Sequence, residues 1–104
     1  MQIIKVLSEL IADEIKDAEN YADLALKYKT DQPEVAELFH ELSEEEMGHM
    51  NDLHDQVARL IKEYRDQHGS PPEGMLAVYN YLHEQHMDAA MKVKARQMMY
   101  KINE

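Results

Sequence analysis

Residues 39–64 have the sequence FHELSEEEMGHMNDLHDQVARLIKEY, in which apolar residues recur every three or four positions. That period is typical of an α-helix with one face turned to a core. The stripe of this helix consists of Phe39, Leu42, Glu46, His49, Leu53, Val57, Leu60 and Tyr64. Its members Glu46 and His49 need a chemical explanation, because burying a carboxylate or an imidazole is costly unless a partner compensates it.

The first predicted helix has the same period and one similar interruption. Its stripe consists of Ile4, Leu7, Ile11, Glu14, Ala18, Tyr21, Ala25 and Tyr28. Glu14 lies 17 residues before Asp31, and Glu46 and His49 lie 15 and 18 residues after it. If the chain turns near Asp31, a rise of about 1.5 Å per residue brings the three side chains within roughly 5 Å of one level. We therefore expect them to face one another across a helical hairpin.

The glycines and prolines divide residues 1–104 into three helices of one domain, at about 2–29, 33–68 and 71–102. Asp31 and Glu34 predict the N-cap and capping box of the second helix. Gly69 is predicted to end it, and Ser70 to cap the third. Both connections are short, which favours antiparallel neighbours in an up-down-up arrangement or an exchange of helices between chains.

Composition excludes several classes of function. The chain has no cysteine, and therefore no disulfide, thiolate zinc site or iron–sulfur cluster. A net charge of −10 argues against nucleic acid and anionic lipid as partners and favours cations. No apolar run approaches the roughly 20 residues of a spanning helix, and acidic residues interrupt the start too early for a signal peptide. We expect a cytoplasmic protein that does not bind a membrane.

The residues Glu46-x-x-His49 project from one helical face, as two ligands of one metal ion require. Together with Glu14 they form half of a di-metal carboxylate site. The stretch of the third helix at this level, 93–95, offers no ligand, so a second copy around a twofold axis is the expected source of the rest. Four carboxylates would balance two divalent ions, and the mixed oxygen and imidazole set suits iron or manganese. A buried hydrogen-bonded pair of Glu46 and His49, with Glu14 reaching solvent, is the alternative.

Two further clusters contain histidine. Glu37-x-x-His40 lies off the apolar stripe and is predicted to be a solvated pair. The second cluster, His83, Glu84 and His86, is expected about 12 Å or more along the axis from the first site, near His54 and Asp55. Capping and surface hydrogen bonds explain it most simply. A second, weaker metal site remains open, as does a domain-swapped third helix that carries these ligands to the first site.

The segments EIKDAENYA (14–22) and EEEMGHM (44–50) resemble the rubrerythrin branch of the ferritin-like superfamily. The resemblance implies an all-α fold, in which a ferritin-like antiparallel hairpin and a third long helix form a four-helix bundle completed by dimerisation. It also implies that Glu14 is a terminal or bridging carboxylate, Glu46 a bridging carboxylate and His49 an imidazole ligand. Tyr21 resembles the tyrosine found near such di-iron centres.

The chain departs from the family pattern because it has no second helix pair with its own ligands and no rubredoxin-like cysteines. The third helix is apolar on more than one face, which also favours a homo-oligomer, a dimer or larger. The resemblance implies a di-iron or di-manganese protein, with zinc a further option, that oxidises Fe(II) or reduces peroxide like a ferroxidase or peroxidase. The alternative function is a non-catalytic helical dimerisation module that retains the hairpin.

Overall fold

The computed structural model describes residues 2–102, which form three helices: α1 (Gln2–Tyr28), α2 (Pro33–His68) and α3 (Glu73–Ile102). The predicted all-α class is confirmed, and residues 2–102 contain no strand. The molecule measures 55 × 18 × 17 Å. The 36 residues of α2 span about 54 Å at 1.5 Å per residue, so α2 runs the whole length of the molecule. No helix within 2–102 is long and apolar enough to cross a membrane.

The predicted N-cap of α2 and the predicted start of α3 differ from the structure, and proline explains both differences. The N-cap of α2 is Gln32, without a side-chain cap, rather than Asp31. Because Pro33 disfavours helical geometry in the residue before it, Gln32 adopts φ −139° and the helix cannot begin earlier. In the same way Pro72 disfavours helical geometry at Pro71, and α3 begins at Glu73 instead of 71. Gly69 ends α2 as predicted, with φ 78° and its N–H donated to the Arg65 carbonyl.

The three helices share one main core, in which α3 covers one side of the α1–α2 hairpin. We call this side the closed face; its cluster consists of Ile11, Ile15, Ala18, Met47, Met50, Ala90 and Val93. The Ser43 hydroxyl, fully buried, donates to the Ala18 carbonyl at 2.7 Å and accepts a bond from the Gln97 amide at 2.9 Å. Through these two hydrogen bonds, one side chain of α2 contacts both α1 and α3.

The predicted stripe of α2 is not its most buried face. The buried positions are Ala36, His40, Ser43, Met47 and Met50. The predicted positions lie beside them and are half-buried, except for the exposed His49. We call their side of the hairpin the open face; its residues are Leu7, Glu14, Tyr21, Phe39, Leu42, Glu46, His49 and Leu53. The carboxylates and the imidazole therefore lie beside the core of the chain, not inside it.

Candidate metal centre

Glu14, Glu46 and His49 meet at the middle of the open face. The antiparallel hairpin places the centre of α1 against α2, and one helical turn separates Glu46 from His49. His49 Nδ1 lies 3.6 Å from Glu14 Oε2 and 3.9 Å from Glu46 Oε2. One ligand atom from each residue lies within 4.8 Å of the other two, and no other group in residues 2–102 brings three such atoms together. The expected facing of these side chains across the hairpin is what the structure shows.

The two carboxylates repel each other, and among residues 2–102 only His49 lies close enough to offset this repulsion. Within the described chain, neither forms an ion pair with lysine or arginine. A hydrogen bond to Glu14, burial and the negative charge of Glu14 raise the pKa of Glu46, against a smaller opposite effect of His49. The site therefore favours an added positive charge, which a proton supplies in part.

A buried carboxylate oxygen without a hydrogen-bond partner also indicates that the group accommodates a cation. Glu14 Oε2 is buried and has no hydrogen-bond partner among the described residues. A buried acceptor without a partner costs about 1–3 kcal/mol. Two carboxylates and an imidazole nitrogen are ligands that iron and manganese accept. The donor set and the unpaired oxygen both fit a metal ion.

The site is open on the side away from α3. The His49 side chain is 58% exposed, whereas Glu14 and Glu46 are 25% and 19% exposed. Within one chain the half-site is therefore only partly buried, because the packed face of α2 is the neighbouring one. At this level α3 places Val93, which is buried in the core.

Tyr21 lies on the same face, two helical turns from Glu14. It is half-buried, and its ring stacks on Phe39 with centroids 6.2 Å apart. The Phe39 ring also contacts Tyr28, at 6.4 Å. The structure thus assigns Tyr21 an aromatic contact on the open face, while its role near a metal stays a prediction.

The prediction of a solvated Glu37–His40 pair is wrong for His40. This histidine is 3% exposed, stacks on Tyr100 of α3 at 4.5 Å and lies 3.2 Å from a Glu44 oxygen. Glu37 is exposed and accepts a hydrogen bond from the Tyr100 hydroxyl at 2.7 Å. The spacing of His40 from Ala36, four residues, is the signal that could have revealed its burial.

The second histidine cluster lies against His54, as predicted, but Glu84 does not take part in it. His83 Nδ1 and His54 Nε2 share a hydrogen bond at 3.0 Å. His86 is buried, and burial together with the neighbouring His54 and His83 lowers its pKa. Glu84 is exposed and does not line the adjacent cavity. In this structure the third helix therefore brings no ligand to the first site.

A model of the rubrerythrin family matches residues 5–74. The chain belongs to the rubrerythrin family. Searches among curated proteins and among solved structures give no match. The matched range contains α2 and nearly all of α1, including Glu14, Glu46 and His49, and ends at the start of α3. The resemblance to a ferritin-like, rubrerythrin-type protein is confirmed, and proteins of this family typically bind iron.

Proposed function

We propose that this rubrerythrin-family protein holds two iron ions at a site shared by two copies of the chain, and that the site oxidises Fe(II) or reduces peroxide. The proposal rests on one observation, the convergence of Glu14, Glu46 and His49 on the open face. Each copy would supply all three residues. Iron, when bound, supplies the electron-transfer chemistry. The chain supplies negatively charged ligands, holds the ions in place and leaves a coordination position open.

The charges of the site support a pair of divalent ions. Two copies bring four carboxylates, whose charge two divalent ions balance. In the metal-free protein the raised pKa of Glu46 favours a proton held between Glu46 and Glu14. Metal binding would release this proton, because a carboxylate must be ionised to act as a ligand. The Glu14 oxygen that has no hydrogen-bond partner would instead coordinate the metal ion.

The same face supports a second copy as the source of the missing ligands. One chain offers three ligand residues, fewer than two ions require, and α3 offers none at this level. Leu7 and Leu42 of the open face are half-buried, so a second open face would bury apolar surface and the ligands together. In a twofold-symmetric dimer both copies use the same face, so only the open face has to be complementary to itself.

A second candidate function is a dimerisation module without turnover. The observation that favours it is the stacking of the half-buried Tyr21 and Phe39 rings on the open face, which a second copy could cover whether or not metal is bound. In this case the hairpin serves for association alone.

The donor set of the first proposal is also compatible with manganese or zinc in place of iron.

Anaerobic loading with Fe(II), followed by elemental analysis, tests the proposal. We expect about one iron per chain, as two ions per dimer require, and oxidation of that iron on addition of oxygen or peroxide. Glu46→Gln should lose the iron. Glu45→Gln makes the same change at the exposed neighbouring position and should retain it. Equal iron content in both variants would overturn the assignment, and bound iron without oxidation would favour the dimerisation module.

A further inference from the structure

A cluster of three histidines lies between α2 and α3, away from the open face. His54 belongs to α2, and His83 and His86 lie one turn apart on α3. His86 belongs to the buried face of α3, four residues before Ala90 and seven before Val93. The closed face therefore continues along α3 into the histidines. The rings of His54 and His83 are 5.0 Å apart and tilted by 40°.

We propose that His54 and His83 form a second metal site, for a nitrogen-preferring divalent ion such as Zn²⁺ or Cu²⁺, with His86 as an additional ligand. Imidazole is a preferred ligand of these ions. The two facing nitrogens are 3.0 Å apart. Two nitrogens bound to one tetrahedral zinc ion at 2.0–2.1 Å lie about 3.3 Å apart, so the rings need to separate by only a few tenths of an ångström.

The surroundings leave room for the remaining ligands. The three histidines line a cavity of about 400 Å³ between the helices. His86 does not place a nitrogen within 4.8 Å of both other rings, so it would approach by rotating its side chain. Water from the cavity can occupy a further position. The cationic residues of the cavity, Lys62 and Arg65, follow His54 by eight residues or more, about 12 Å along the helix.

The site is chemically different from the one on the open face. Its three candidate ligands are imidazoles, whereas Glu14 and Glu46 dominate the other site. The carboxylate that lines the cavity, Asp66, follows His54 by twelve residues, about 18 Å along α2. Oxygen ligands suit Mn²⁺ and iron, and an all-imidazole group suits Zn²⁺ and Cu²⁺. Its ligands are in one chain, so binding would not need a second copy. Zinc binding here would also join α2 to α3 at the end of the molecule where α3 begins.

Zinc titration of a protein without the first site tests the inference. In the variant Glu14→Ala, Glu46→Ala, His49→Ala, calorimetry should still detect one Zn²⁺ per chain. Adding His54→Ala or His83→Ala should weaken that binding more than about tenfold, since removal of even a supporting residue commonly costs that much. His86→Ala should weaken it less. His68→Ala removes an exposed histidine of α2 outside the cavity and should have no effect.

Nuclear magnetic resonance of the histidine ring nitrogens provides a readout in the protein with its histidine cluster intact. Zn²⁺ should shift the signals of His54 and His83 and leave those of His68 unchanged, while Mn²⁺ should not bind these rings. The inference is wrong if the folded triple variant binds no zinc, or if its zinc affinity is the same with His54→Ala. Both results are independent of whether the first site binds iron.

Discussion

The two faces of the α1–α2 hairpin have the same helical period and different chemistry. On the closed face α3 packs against the hairpin, and the residues of its cluster, which are at most 5% exposed, are apolar side chains close to Ser43. The open face has leucines and aromatic rings that are half-buried, and between them an exposed histidine and two carboxylates. The closed face is complete within one chain. The open face has two carboxylates without a lysine or arginine partner among the described residues, together with half-buried apolar side chains. A metal-bound second copy would neutralise the carboxylates and cover the apolar side chains.

The largest expected effect follows from placing a charge on the open face. Leu42→Glu should convert a dimer into a monomer of about 12 kDa and remove the iron, because a twofold interface would bury the new charge twice. Light scattering and elemental analysis measure both losses. Met91→Glu makes a similar change on the exposed outer side of α3, where Met91 is 69% exposed, and should change neither. Dissociation by Met91→Glu alone would mean that α3 forms the interface.

A cavity in the closed face should lower stability within the single chain. Ile11 is 1% exposed and packs in the main cluster. We expect Ile11→Ala to lower the free energy of unfolding by about 2–5 kcal/mol, through lost burial and the cavity left behind. Urea denaturation of metal-free protein measures the change. Ile102→Ala removes the same atoms at a position 74% exposed and should change stability by less than about 0.5 kcal/mol.

The hydrogen bonds of Ser43 should contribute less than the apolar core around them. Ser43→Ala leaves the Gln97 amide without its acceptor and the Ala18 carbonyl without its donor. The expected loss is about 1–3 kcal/mol, measured by the same denaturation. Gln97→Ala removes only the half-buried partner and should cost less. If the two variants are equally stable, the bond to Ala18 contributes nothing.

The smallest effect concerns the carboxylates of the open face in metal-free protein. Because the pKa of Glu46 is raised on folding, the native state binds more protons than the unfolded state above the ordinary carboxyl range of about pH 4–5. Stability should therefore fall as the pH rises from that range through the raised pKa. Glu46→Gln should reduce this slope, and Glu45→Gln should leave it intact. Melting temperatures at a series of pH values measure both; a slope that Glu46→Gln does not change would contradict the assigned pKa shift.

Much of the hairpin was predictable because it depends on local patterns. The predicted ends of α1 and α2 agree with the structure within one residue, since helical period, proline and glycine act over a few positions. The common level of Glu14, Glu46 and His49 followed from counting residues on two antiparallel helices. The effect of the consecutive Pro71 and Pro72 is also local, but the predicted start of α3 is two residues too early.

The environment of the histidines was less predictable. His40, His54 and His86 are partly or fully buried, although they are polar and none lies on a predicted stripe. Tyr100 covers His40, and His83 meets His54, through contacts between residues far apart in the sequence. Such contacts depend on the path of α3 across the hairpin. The pattern of a single helix contains no information about that path.

The sequence by itself determined three helices, a short antiparallel hairpin and two carboxylates with an imidazole at one level. Only the tertiary structure decided which face of the hairpin is closed. On α2 the positions Ala36, His40 and Ser43 and the positions Phe39, Leu42 and Glu46 have the same helical spacing, and one residue corresponds to a rotation of about 100°. Either set could form a core face. The packing of α3 against the first set leaves the second set, with its ligands, on the open face.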